Sequence, residues 1–74
     1  MLILNQDKTE LINFDRITFV SEELSENGDE ISYVAHGDDY TIHLGTYLNT
    51  PDQENVLERI AERAGAVNVF YMPR

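Results

Sequence analysis

At 74 residues, with no cysteine and 14 acidic against five basic side chains, the chain reads as one small acidic domain of net charge −9. A domain this short buries only about 60–65% of the surface its unfolded form exposes, and without cysteine neither a disulfide scaffold nor a thiolate metal site is available to it. The charge argues against nucleic acid and acidic membrane surfaces as partners, since both are met by clustered Lys and Arg, and Lys8 is the only lysine.

Met1 to Asn5 reads as a short strand. Polar residues follow at once and no basic stretch precedes it, so no signal peptide is expected. No apolar run approaches the ~20 residues of a membrane span, and a soluble cytoplasmic protein is expected. Gln6-Asp7-Lys8-Thr9 is a polar turn leading to a second strand over Glu10–Phe14, giving a hairpin. Asp15-Arg16 interrupts the pattern before Ile17–Leu24, a strand rich in β-branched and aromatic residues.

Glu22 to Glu30 holds five acids and no base around Asn27-Gly28, a dipeptide whose tolerance of positive φ makes it a hairpin signal. The acids read as a solvated tip, because they lack the alternating oxygen ligands of a calcium loop. A two-residue Asn27-Gly28 loop puts Val20 and Leu24 on the covered side and Ile17 and Phe19 on the reverse; one added residue swaps them.

Ile31–His36 and Tyr40–Leu48 form the clearest hairpin, with Gly37-Asp38-Asp39 between them. A turn centred on Asp38-Asp39 pairs Ala35 with Ile42 and Tyr33 with Leu44. It assigns Ile31, Tyr33, Ala35, Tyr40, Ile42 and Leu44 to a covered face, and Ser32, Val34, His36, Thr41, His43, Gly45 and Tyr47 to the reverse. Gly45 inside a strand marks a bulge or a close backbone approach.

Thr50 to Gly65 reads as one amphipathic helix. Val56, Leu57, Ile60, Ala61 and Ala64 share a face, with Glu54, Glu58, Arg59, Glu62 and Arg63 opposite. Thr50 suits the N-cap, Pro51 the first helical position, Gln53 a returning bond, and Gly65 the left-handed terminus. Val67–Met72 alternates as a last strand, with Val67, Val69 and Tyr71 on one face and Asn68, Phe70 and Met72 on the other. The expected fold is α+β: a curved antiparallel sheet of about five short strands, with the single helix packed on one face.

Three pieces in this order resemble a group of small proteins of Gram-positive bacteria and their phages. They are Asn5-Gln6-Asp7-Lys8-Thr9 with Asn13-Phe14-Asp15, then Leu44-Gly45-Thr46-Tyr47 before a short acidic helix, then Tyr71-Met72-Pro73. The resemblance spans most of the chain and implies a compact antiparallel sheet with one helix. It implies no activity, and the connection from helix to last strand is shorter here than in the group.

His36 and His43 share the reverse face beside Asp38 and Asp39, a composition that suits a metal. Their diagonal spacing and the lack of a third ligand make two surface histidines the simpler reading, and no cofactor is expected. Ser21, Ser25 and Ser32 lie in no nucleophile-elbow sequence, and the glycines form no phosphate-cradling cluster. The leading expectation is therefore a non-catalytic protein-interaction or accessory module, of phage or mobile-element type, working through Ile17, Phe19, Val34 and Tyr47 on the reverse face. Its partner is a protein, a second copy included. The alternatives are a small metal-binding protein or enzyme using the His36/His43 face, and an acidic DNA mimic that occupies a nucleic-acid-binding protein.

Overall fold

Alternating apolar and polar residues mark out the strands. In the computed structural model, which describes residues 1–74, these are β1 (Leu2–Leu4), β2 (Leu11–Asn13), β3 (Phe19–Leu24), β4 (Glu30–His36), β5 (Thr41–Leu48) and β6 (Val69–Tyr71), with one helix, α1 (Val56–Arg63). The class is α+β. The strands number six and divide between two sheets: a small one in the order β2-β1-β6, and a main antiparallel one in the order β3-β4-β5. β1 is antiparallel to β2 and parallel to β6, so both its edges are used within the small sheet.

Asp15-Arg16 breaks the strand pattern because Phe14–Arg16 forms one 3-10 turn, which carries the chain from one sheet to the other. The Asn13 side chain caps it, accepting from the Asp15 N–H at 3.0 Å. Asn5 pins the β1–β2 turn, and at 6% exposure it is the one buried polar side chain. Its Oδ1 accepts from the N–H of Thr9 (2.9 Å) and Glu10 (3.1 Å), and its Nδ2 donates to Thr9 Oγ1. Every polar group it brings inside is thereby satisfied.

The Asn27-Gly28 hairpin takes the two-residue register, with Val20 opposite Ala35 and Leu24 opposite Ile31. Gly28 sits at φ +76, the conformation glycine tolerates. Between β4 and β5 the pairing starts as expected, with Ala35 opposite Ile42, and then shifts. Leu44 is an extra residue, so Tyr33 faces Gly45 rather than Leu44. Gly45 lies at the bulge expected of it, and side chains crowd it: a Cβ there would lie 2.8 Å from the Tyr47 hydroxyl and 3.0 Å from Gln6 Cβ. Gln6 takes up the backbone groups the bulge sets free. Its N–H donates to Leu44 O and its Oε1 accepts from the Thr46 N–H, each at 2.8 Å.

The helix is shorter than its sequence pattern. Thr50–Gln53 closes as a turn, with Gln53 N–H donating to Thr50 O, and Asn55 is the N-cap, accepting from the Glu58 N–H at 3.1 Å. Ala64 (φ −57, ψ 124) and Gly65 (φ +82) end it in a type II turn, the Ala66 N–H donating to Arg63 O. Val56 and Ile60 are buried and Leu57 is half-buried, whereas Ala61 and Ala64 face solvent. One core unites the layers: Ile3, Ile12, Phe70 and Met72 from the small-sheet side, Ile31, Tyr33, Ala35, Leu44 and Tyr47 from the main sheet, and Val56 and Ile60 from α1.

Candidate functional site

The reverse face of the main sheet carries Phe19, Ser21 and Glu23 on β3, Glu30, Ser32, Val34 and His36 on β4, and Thr41, His43, Thr46 and the 66% exposed Leu48 on β5. Of the four residues expected to make it an apolar contact surface, two are there: Phe19, 54% exposed, and Val34, half-buried between Ser21 and His43. Tyr47 is not. The extra residue at Leu44 reverses the alternation beyond it, so Tyr47 pairs with Ile31 on the covered face and is 6% exposed. Its hydroxyl donates to Pro73 O at 2.6 Å, and its ring meets Tyr33 edge-on at 5.9 Å. Burial pushes its phenol up to about 12, with Tyr33 adding to the rise and the Arg59 guanidinium opposing it. Ile17 packs against the core cluster. Burial raises the Tyr33 phenol too, and its hydroxyl donates to Glu22 Oε1 at 3.2 Å.

The two histidines are held separately. His36 stacks on Phe19, with 4.2 Å between centroids and 11° between planes, and its Nε2 is hydrogen-bonded to Ser21 Oγ at 2.8 Å. His43 Nε2 pairs with Thr46 Oγ1 at 2.7 Å, which in turn meets Ser32 Oγ at 2.9 Å. No group of three or more His, Asp or Glu side chains converges to hold a metal. Hydroxyls and imidazoles thus cross-link the three strands, and the face is mainly polar.

The most apolar open surface lies elsewhere, on the outer face of the small sheet. Ile3, Ile12 and Phe70 point into the core, so alternation turns Leu2, Leu4, Leu11, Val69 and Tyr71 outward. Register places Leu4 between Leu11 and Tyr71, and Leu2 between Asn13 and Val69, making two cross-strand rows without a charged side chain. Leu11 and Tyr71 are 60% and 64% exposed. The sequence carries half the signal of this face, the alternation that puts Val69 and Tyr71 together, but no local pattern sets them beside Leu2, Leu4 and Leu11.

A shallow cleft of about 440 Å³ lies between the 3-10 turn and the β4–β5 turn, lined by Asp15, Arg16, Ile17, Thr18, Asp38, Asp39 and Tyr40. Tyr40 closes one side, its hydroxyl donating to Arg16 O at 3.4 Å. No helix is long and apolar enough to cross a membrane. Comparison with protein-family models, with curated proteins and with solved structures gave no match to this chain.

Proposed function

We propose that this domain is a non-catalytic protein-interaction module whose contact surface is the outer face of the small sheet. The observation that carries the reading is the charge-free apolar surface of Leu2, Leu4, Leu11, Val69 and Tyr71 on a chain of net charge −9. Antiparallel and mixed sheets tolerate an open face when it is polar, and contiguous apolar surface rimmed by polar residues marks a protein contact. The acidic remainder keeps the domain soluble and disfavours contact through its charged helix exterior. The reverse face of the main sheet supports this role less well, because its apolar members Phe19, Val34 and Leu48 are interspersed with hydroxyls, imidazoles and carboxylates.

A photo-crosslinker at position 11 recovers the partner from the source cell, and affinity is then measured with that partner purified. Leu11→Glu and Tyr71→Glu are each expected to weaken binding at least about tenfold, since each buries a charge in an apolar contact. Glu62→Ala, on the exposed side of α1, leaves it unchanged. Wild-type affinity in both face variants overturns the proposal. Sedimentation equilibrium of the wild type identifies a second copy as the partner if the chain dimerises and Leu11→Glu does not.

A further inference from the structure

The four outer strand edges differ. In the small sheet, β2 and β6 are three residues each, too short to template much pairing. In the main sheet Gln6 covers the middle of the outer edge of β5, through its N–H to Leu44 O and its Oε1 from the Thr46 N–H, and so interrupts that edge. β3 is six residues long, and none of its backbone groups takes part in a hydrogen bond outside the β3–β4 ladder. Ser25 N–H donates to Glu30 O, which makes that pair a hydrogen-bonded one. By alternation the N–H and C=O groups of Val20, Glu22 and Leu24 therefore point away from β4.

Side chains set what this edge accepts. Glu22 lies on the covered side of the sheet and Glu23 on the reverse side, so one carboxylate flanks the edge on each face. Their partners are hydroxyls, Tyr33 to Glu22 at 3.2 Å and Ser21 to Glu23 at 3.3 Å, and neither is in a salt bridge. Phe19 and Leu24, 54% and 62% exposed, stand at the two ends on opposite faces.

We infer that the β3 edge receives an extended basic segment of a partner protein as a fourth strand of the main sheet. Its backbone pairs with Val20, Glu22 and Leu24; Lys or Arg at its centre meets Glu22 or Glu23 whichever face it points to; apolar residues at its ends meet Phe19 and Leu24. Strand addition of this kind draws affinity from main-chain bonds and specificity from alternate side chains. A second copy is the wrong occupant, because β3 against β3 sets acidic strands of two chains of net charge −9 side by side. The inference goes beyond the function proposed above and uses a different surface, since no residue of the small-sheet face belongs to β3.

The test uses the whole domain and three synthetic peptides: one alternating Lys with Val and Thr, the same peptide with alternate backbone nitrogens methylated, and one with Glu for Lys. Amide exchange and chemical shifts are followed by NMR. The Lys peptide is expected to protect the amides of Val20, Glu22 and Leu24, to bind at least about tenfold more tightly than its methylated form, and to weaken with salt; the Glu peptide does not bind. Glu22→Lys/Glu23→Lys removes binding, and the methylated peptide keeps the test independent of that variant's folding. Equal binding by the methylated peptide means charge attraction without strand addition and overturns the inference. So does absence of binding, or perturbation confined to other residues. Protection of the three amides that grows with protein concentration, without peptide, assigns the edge to a second copy and overturns it equally.

Discussion

Tyr47 shows how much a single side chain does here. Its ring fills the core beside Tyr33, while its hydroxyl ties β5 to the C-terminal segment through Pro73 O. Burial raises its phenol from 10.0 to about 12, and burial raises Tyr33 in the same direction. An acid whose folded pKa exceeds its unfolded one gives stability that is full below the unfolded value and is lost as pH rises through the folded value. Urea midpoints should therefore hold to about pH 9.5 and fall from about pH 10 to 12. Tyr47→Phe lowers the unfolding free energy at pH 7 by about 1 kcal/mol through the orphaned Pro73 carbonyl, yet makes the alkaline fall shallower. The same alkaline slope in both proteins refutes this assignment. At this scale Gly45 was legible, as a residue no packed strand needs. The side of Tyr47 was not, because one inserted residue reverses every side chain beyond it.

Among the elements, α1 starts at the cap Asn55 rather than at the Thr50 expected from the sequence. Thr50-Pro51 suits a helix entry, but Pro equally suits the second position of a turn, and the turn is what forms. Asn55 followed by Glu58 has the capping-box spacing as well, and Asn ranks at least as high as Thr in that role. Asn55→Ala should cost about 1 kcal/mol, whereas Thr50→Ala stays within about 0.5 kcal/mol. Thermal midpoints of the two variants separate the starts, and a larger loss in Thr50→Ala would reinstate the longer helix. The apolar face narrows accordingly to Val56, Leu57 and Ile60, because Ala61 and Ala64 lie where nothing packs over them.

For the whole molecule, the class, the three hairpins and the single helix were readable because each rests on local pattern: alternation, a turn dipeptide, a 3.6-residue period. The division into two sheets was not. It depends on β6 returning to β1 from the far end of the chain, and no local pattern encodes which distant strand fills an edge. The candidate surface was missed for the same cause. Leu2 and Leu4 appear as an ordinary apolar strand until β2 and β6 are placed beside them, and only then do Leu11 and Tyr71 complete the outward rows.

The parallel pairing of β1 with β6 also sets an order of events. Hairpins β1–β2, β3–β4 and β4–β5 close over short loops, whereas joining Leu2 to Val69 spans most of the chain and costs on the order of 2 kcal/mol more in loop-closure entropy. Such a contact forms late, and until it does β1 has one side unpaired, a sticky edge in the nascent domain. Late formation has a kinetic signature. Phe70→Leu, in β6, should raise the unfolding rate roughly fivefold while the refolding rate stays within about twofold, because a strand absent from the transition state affects only escape from the native state. A chevron in which Phe70→Leu slows refolding instead would place β6 in the nucleus. If unfolding alone accelerates, the last strand acts as the latch that sets how long the folded domain survives.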